Sequence, residues 1–244
     1  MVARGTHVAA TGPRSQAEPA ERDTTPLPFA PAKGYIWGMA DGHPDWKTPN
    51  LTLTPGEPLW VFGYGSLMWN PGFPFLERQP AVLHGYHRRF CVLSHRYRGT
   101  PERPGLVLGL DRGGSCRGIA FKVAPDDVQP VVAYLWEREM VTGVYRPSLK
   151  QIRLPSGPVT ACCFLADRGH RQYCGALDVE ETLAMIRTGV GSSGPNRDYL
   201  LNTVEHLREL GIRDGALFAL AKRVAEAGNG GSAPTAAEAA VEVA

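Results

Sequence analysis

The residue whose position most suggests a part in catalysis is Glu139, because it falls on the apolar side of a predicted helix. Apolar residues recur at the spacing of one helical face at Val128, Val131, Val132, Leu135 and Trp136. At about 100° per residue Glu139 projects from this face, whereas Glu137 points away from it. Partial burial raises the pKa of a carboxyl group toward neutrality. Glu139 is therefore a candidate general acid and base.

A structural explanation of Glu139 also stays open. It stands near the predicted helix end at Thr142-Gly143, where it can pair with Arg138, Arg146 or solvent. The nearby Tyr145 can orient a substrate or simply fill the core with its ring.

A second candidate element is a strand followed by a glycine turn. Residues Leu59 to Phe62 are aromatic or aliphatic, as in a buried strand, and the run stops at Gly63-x-Gly65. Successive backbone N–H groups in such a turn have no ladder partners, and together they can bind a carboxylate or a phosphate. An ordinary strand and turn without a ligand is the alternative.

The known glycine motifs do not account for this turn. A dinucleotide fingerprint requires glycine where Met68 stands, and the Gly-Lys-Ser/Thr triplet of a P-loop does not occur in the chain. A nucleophile elbow centred on Ser66 requires glycine in place of Tyr64 and Met68. Nucleotide binding and serine-triad hydrolysis are therefore disfavoured.

Composition narrows the class of partner. The chain has 244 residues and a formal net charge of +2, with both signs mixed along it, so it has room for one sizeable domain with tails. We expect no nucleic acid and no anionic membrane as partner, and favour a small molecule or a protein. No stretch reaches the roughly 18 apolar residues of a membrane span.

The cysteine pattern indicates a reducing compartment. The five cysteines include no CxxC pair and form neither a disulfide framework nor a zinc site, at positions Cys91, Cys116, Cys162, Cys163 and Cys174. We expect them to be small buried apolar residues and the protein to be cytoplasmic.

Three segments are predicted. Residues 1–55 form an amino-terminal extension that is largely disordered, residues 56–227 form the domain, and residues 228–244 form a low-complexity tail.

The domain is predicted to begin with strands. Ala81 to Leu93 is strand-like, with a bend at Gly85 and a basic cluster, His87-Arg88-Arg89, that either contacts an anionic substrate or forms a solvated face. We expect two further antiparallel strands joined by a loop at 112–115, and then two more around a turn, over residues 106–110, 118–123, 149–154 and 159–166.

Helices are predicted to follow. Pro130 fits the first helix only if that helix begins late or bends. Asp178-x-x-Glu181 is typical of a capping box, Asn196 is a reasonable cap for a helix over 199–210, and a last helix is expected over 215–227. The fold class is therefore mixed α+β.

Two motifs in order resemble the ChaC family of γ-glutamylcyclotransferases. The resemblance covers roughly residues 58 to 225 and rests on Val61-Phe62-Gly63-Tyr64-Gly65-Ser66-Leu67, Arg138-Glu139, Gly143-x-Tyr145, Ser94-His95-Arg96 through Pro104, and Ser193-Gly194-Pro195-Asn196-x-x-Tyr199-Leu200. Members of that family convert glutathione to 5-oxoproline and cysteinylglycine without a cofactor or a metal.

The resemblance implies both a fold and a site. The fold is a small β-barrel with flanking helices. Glu139 would be the acid/base residue. The substrate-binding residues would be Val61, Phe62, Gly63, Tyr64, Gly65, Ser66, Leu67, Tyr145 and Tyr199. The donor that steadies the developing oxyanion is left open between a loop N–H, Tyr145 and Tyr199.

Two other functions stay open. One is a cyclotransferase for other γ-glutamyl peptides or amines. The other is a non-catalytic module that binds a carboxylate, although Glu139 argues against it because anion binding gains nothing from a second negative charge. The oligomeric state is not predicted.

Overall fold

The structure is a computed structural model that describes residues 51–228. Most of the predicted amino-terminal extension (residues 1–50) and of the predicted tail (residues 229–244) lies outside the described residues. Within residues 51–228, the helices are all too short or too polar to traverse a bilayer.

Five strands close into a barrel around the main core. They are β1 (Leu59–Gly63), β2 (Glu77–Ser94), β3 (Gly105–Val123), β4 (Tyr145–Leu154) and β5 (Gly157–Ala166). The barrel order is β1-β3-β2-β4-β5, and the barrel closes where β1 runs parallel to β5, at Trp60–Ala161 and Val61–Cys162. Side chains alternate between the two faces of each strand, and both faces bury large residues: Phe62 and Ile152 lie on one face, and Phe121 and Phe164 on the other.

Strand β3 is continuous, so the prediction of two strands joined by a loop at 112–115 was wrong. Gly113 and Gly114 have φ angles of 99° and 66°, and Gly85 opposite them in β2 has 81°. The ladder skips these residues, pairing His84 with Ser115 and then Tyr86 with Arg112. Glycine adopts positive φ without steric cost, so both strands bend together and stay paired.

Four helices flank the barrel. They are α1 (Val128–Glu139), α2 (Val179–Thr188), α3 (Asn196–Glu209) and α4 (Gly215–Gly228), with a two-residue hairpin of β6 (Val190–Gly191) and β7 (Gly194–Pro195) before α3. Pro130 is the third residue of α1, where an N–H would have no intrahelical acceptor. Of the two expected alternatives, a late start or a bend, the structure therefore shows the late start. The capping box of Asp178 and Glu181 is also present. The predicted α+β class with a small barrel is confirmed.

Asn196 is not the cap of α3, contrary to the sequence-based prediction. Pro195 occupies the cap position, and Asn196 is the first residue of the helix, fully buried. Its side-chain Oδ1 accepts from the Leu106 N–H at 2.6 Å, and its Nδ2 donates to the Leu106 carbonyl at 2.7 Å. The side-chain amide of Asn196 thus makes the two hydrogen bonds with Leu106 that a neighbouring strand would otherwise make, and it fixes α3 against β3.

The cysteines behave largely as predicted. All five are free, four are buried and Cys174 is half-buried. Burial raises the pKa of each thiol, so the thiolate form is disfavoured.

Replacing Asn196 with alanine is expected to destabilise the chain by about 2 to 6 kcal/mol. The substitution leaves the buried N–H and C=O of Leu106 without partners, and each unsatisfied group costs about 1 to 3 kcal/mol. Urea unfolding of the wild type and the variant measures the difference. Asn202→Ala, an exposed change on the same helix, is the matched control. Equal losses in the two variants would contradict the anchoring role of Asn196.

Candidate active site

A cavity of about 270 Å³ opens at one end of the barrel. Its walls are the turn after β1, the end of α1, the connection from β2 to β3, and α3. It brings together seven of the residues predicted from sequence: Tyr64, Gly65, Ser66, Leu67, Glu139, Tyr145 and Tyr199. Residues separated by up to 135 positions in the chain therefore face one space.

The other three predicted residues do not line this cavity. Val61 and Phe62 are fully buried on opposite faces of β1. Gly63 lies directly beneath the turn, and a Cβ atom there would be 3.1 Å from Leu67 Cβ. A side chain at position 63 would push the turn outward. Val61, Phe62 and Gly63 therefore affect the shape of the cavity by positioning the turn, not by lining the cavity.

The turn after β1 lines the cavity and contains backbone N–H groups that take no part in its own hydrogen bonds. It is a single 3₁₀ turn over Ser66–Met68, and within the described residues its own backbone bonds begin with the Met68 N–H, which donates to Gly65 O at 2.9 Å. The amides of Gly65, Ser66 and Leu67 precede that bond and have no recorded acceptor among residues 51–228. Such a group of N–H donors suits a carboxylate.

Arg88 holds this turn from inside the barrel. Its side chain is 2% exposed, and its Nε donates to the carbonyl of Tyr64. Its Nη2 donates to the Arg117 carbonyl at 2.7 Å, and its Nη1 pairs with Asp214 Oδ2 at 2.9 Å. Arg88 is therefore neither on a solvated face nor in contact with the cavity, so both interpretations of the basic cluster were wrong for this residue.

Glu139 is the last residue of α1 and is largely withdrawn from water. Its side chain is 18% exposed, and its Oε1 lies 3.2 Å from Arg138 Nε. Burial raises the pKa of Glu139 above its ordinary value of 4.5, and the charge and hydrogen bond of Arg138 oppose that shift. The carboxyl group is thus suited to accept and return a proton.

Arg138 connects this carboxylate to the turn. Its Nη2 donates to Ser66 Oγ at 2.9 Å, and its Nη1 donates to Asn70 O at 2.7 Å and to Tyr134 Oη at 3.0 Å. Sequence reasoning treated Arg138 only as a possible partner of Glu139 and missed its contact with the turn. No periodicity signals that contact, although Arg138 stands beside Glu139 in the second motif.

Tyr145 and Tyr199 line the cavity and differ in their hydroxyl contacts. Tyr145 Oη donates to the Leu108 carbonyl at 2.7 Å. The Leu108 backbone also lowers the pKa of Tyr199, which opposes the effect of burial on that phenol. The Tyr145 proton is therefore engaged with a backbone acceptor.

Tyr64, Tyr145 and Tyr199 are not bases near neutral pH. Burial is the main cause that raises the pKa of Tyr64 and Tyr145 well above the ordinary value, and that of Tyr199 to about 12. Their hydroxyls stay protonated and can serve as hydrogen-bond donors. Glu139 is the carboxyl group of the cavity whose raised pKa suits it to exchange protons.

Several lining residues were not predicted as site residues. Ser94, His95, Arg96 and Tyr97 come from the β2–β3 connection, and Gln172 from the segment after β5. A second cavity of about 570 Å³ adjoins the first, where the rings of Trp69 and His206 stack 4.4 Å apart. The connections that carry these lining residues have no periodic sequence pattern. In the sequence, only the Ser94-His95-Arg96 motif could have indicated any of them as site residues. No cluster of His, Cys, Asp or Glu within residues 51–228 could hold a metal ion.

Comparison with known proteins identifies the family. The family model described as ChaC-like protein matches residues 59–227. The chain belongs to the ChaC-like family. A crystal structure of a yeast γ-glutamyl cyclotransferase specific to glutathione has a similar fold, with a TM-score of 0.63. The two chains are 24% identical, and the match covers 70% of this chain and 99% of that chain. The γ-glutamylcyclotransferase-like fold expected from the resemblance is therefore confirmed.

Two relatives illustrate the family. The glutathione-specific γ-glutamylcyclotransferase of Escherichia coli (strain K12) is 37% identical over 169 residues, covering 68% of this chain and 73% of the relative. The glutathione-specific γ-glutamylcyclotransferase 1 of Mus musculus is 32% identical over 204 residues, covering 80% of this chain and 84% of the relative.

Arg138→Met is expected to raise the pKa of Glu139 further. Burial raises the pKa of Glu139 and Arg138 lowers it, so removal of the guanidinium leaves only the effect of burial on this pKa. The pKa is read from the ¹³C shift of the Glu139 side-chain carboxyl during a pH titration. Arg146→Met is the control, because Arg146 pairs with Asp167 at 2.7 Å instead. An unchanged or lower pKa in Arg138→Met would contradict this electrostatic account.

Proposed function

We propose that the chain cleaves glutathione by intramolecular cyclisation of its γ-glutamyl group, giving 5-oxoproline and cysteinylglycine. The observation that carries the proposal is that Glu139, a carboxyl group with a raised pKa, shares one cavity with a turn whose first amides have no acceptor among residues 51–228. The names of the bacterial and murine relatives support glutathione as the substrate.

The turn would hold the glutamyl end of the substrate. In this pose the amides of Gly65, Ser66 and Leu67 bind the α-carboxylate, and the α-amine points toward Glu139. An amine and a carbonyl of the same molecule react far faster when the chain between them is held folded. Binding of this one carboxylate therefore supplies much of the catalysis.

Glu139 would transfer the proton. The α-amine nitrogen attacks the γ-carbonyl carbon and forms the ring C–N bond, while Glu139 takes a proton from that nitrogen. The γ-carbonyl oxygen becomes an oxyanion. Collapse of this intermediate breaks the bond to the cysteine nitrogen, and Glu139 returns the proton to that leaving group. Atoms and charge balance without consumption of water.

We assign the oxyanion donor to Tyr199. Tyr199 lines the cavity, and burial keeps its hydroxyl protonated, so it can donate a hydrogen bond to the oxyanion. The Tyr145 hydroxyl donates its proton to the Leu108 carbonyl, so Tyr145 would line the cavity without contacting the oxyanion. The raised pKa of Tyr199 keeps the Tyr199 proton in place throughout the reaction.

Other γ-glutamyl peptides or amines are the second candidate substrates, because the turn and Glu139 would contact only the part of the substrate that all of them share. A non-catalytic carboxylate binder is disfavoured, since it would gain nothing from Glu139. A cytoplasmic location stays a prediction from the cysteine pattern.

Glu139→Gln is expected to lower kcat by about 100- to 10,000-fold while substrate affinity is retained, because amide and carboxyl have similar size but glutamine cannot transfer the proton. Mass spectrometry of 5-oxoproline measures the rate, and calorimetry measures glutathione binding. Glu205→Gln, an exposed change on α3, is the matched control. Turnover that survives in Glu139→Gln would overturn the assignment.

The loss should not reflect unfolding. At low pH Glu139 is neutral in both the folded and the unfolded chain. Because its pKa is raised in the folded chain, the unfolded chain ionises first as the pH rises from 4.5, and the folded chain loses stability until the pH passes the folded pKa. A glutamine does not ionise. We therefore expect Glu139→Gln to melt no lower than the wild type at pH 8, as measured by calorimetry.

Tyr199→Phe is expected to lower kcat by about 100-fold with a smaller effect on KM, because the oxyanion donor acts on the transition state. Tyr145→Phe is the matched comparison, since it removes a hydroxyl that is bonded to Leu108 instead. Steady-state kinetics with glutathione distinguish the two tyrosines. A larger fall in kcat for Tyr145→Phe would reverse the assignment.

A further inference from the structure

The connection after β2 forms one side of the cavity and is held rigidly. Ser94 Oγ accepts from the Arg98 N–H at 3.0 Å. The carbonyls of Arg96 and Tyr97 accept from the N–H groups of Ser192 and Ser193 at 2.8 and 2.9 Å, so the β6–β7 hairpin clamps this connection. Side chains on it are therefore presented to the cavity from a fixed backbone.

Two of the three arginines at the cavities are already engaged. Arg138 bonds the turn after β1 and Glu139. Arg98 donates from Nη1 to the carbonyls of Ser193 and Pro195 at 2.6 and 3.3 Å, and its Cζ lies 5.2 Å from the centroid of the Tyr199 ring. Arg138 has the carboxylate of Glu139 as its counter-charge, whereas Arg98 lines the second cavity rather than the first and is held there by carbonyls and a ring.

Arg96 is different. It lines the cavity and is exposed. Within residues 51–228 the contact recorded for its guanidinium is with the Tyr97 ring, whose centroid lies 5.5 Å from Arg96 Cζ, and no carboxylate pairs with it. A permanent positive charge at the edge of a substrate cavity, without a protein counter-ion, is suited to an anionic group of the substrate.

We propose that Arg96 binds the carboxylate at the glycine end of glutathione and so selects substrates that carry a negative charge on the leaving portion. This inference rests on the proposed function. Glutathione has two carboxylates, and the amides of the turn after β1 would bind the one on the glutamyl end. The other leaves with cysteinylglycine and requires its own partner, which the planar, doubly donating guanidinium of Arg96 supplies.

The test compares glutathione with its glycinamide form, which lacks the second carboxylate and keeps the same γ-glutamyl group. We expect the wild type to prefer the acid over the amide by about tenfold in kcat/KM, the scale of one charge-assisted hydrogen bond at an exposed site. Arg96→Ala should remove this preference, and Arg96→Lys should restore part of it. The ratio for two substrates on one protein does not depend on the folded fraction.

Two controls locate the effect. Arg153→Ala, an exposed arginine on β4 away from both cavities, should keep the wild-type preference. His95 lies on the same connection and lines the same cavity. If His95→Ala removes the preference and Arg96→Ala does not, the assignment to Arg96 is wrong.

Failure of this inference and failure of the proposed function give different results. A wild type that releases 5-oxoproline from the acid and the amide equally well, or an Arg96→Ala variant that keeps the preference, overturns the role of Arg96 alone. A wild type that releases 5-oxoproline from neither compound overturns the proposed function and this inference with it.

Discussion

The site depends on a single guanidinium that joins a helix end to a turn. Arg138 contacts Ser66 and Asn70 on one side and Glu139 on the other, with bonds of 2.7 to 3.2 Å. A carboxylate withdrawn from water needs a counter-charge, but a counter-charge directed only at Glu139 would lower its pKa toward the ordinary value. Because Arg138 is shared with the turn, burial still dominates and the pKa of Glu139 stays raised.

The barrel supplies the geometry that this link requires. Strand β1 ends inside the barrel and delivers the turn, while Arg88 beneath it bonds the carbonyl of Tyr64 and pairs with Asp214 at the start of α4. Leu108 on β3 fixes Tyr145, and Asn196 bonds Leu106 two residues earlier. The same strand therefore positions Tyr145 and the helix that carries Tyr199.

Much of the fold could be predicted from local patterns. Strand β1, the apolar face of α1 and the capping box of α2 each follow from spacing over a few residues, and all three are present. The continuity of β3 could not be predicted, because Gly113-Gly114 is typical of a loop unless a partner strand bends at the same place. The role of Asn196 depends on Leu106, 90 residues away, and no local pattern reports such a contact.

The candidate site was only partly predictable for the same reason. Glu139 stands out because it breaks an apolar pattern, and the turn because glycines interrupt a strand. Arg88 and Arg138 look like ordinary surface charges in the sequence, and only the folded chain shows that both bond the turn after β1. Val61 and Phe62 share the motif of the turn but are buried in the core, because a motif includes the residues that hold a site as well as those that line it.

The central claim is that the γ-glutamyl bond is broken by an internal amine rather than by water. The most direct test is to run the reaction of the purified chain with glutathione in H₂¹⁸O and to analyse the products by mass spectrometry. The account predicts cysteinylglycine together with 5-oxoproline that carries no ¹⁸O, since no water oxygen enters the product. Glutamate that carries one ¹⁸O would show hydrolysis and would contradict it.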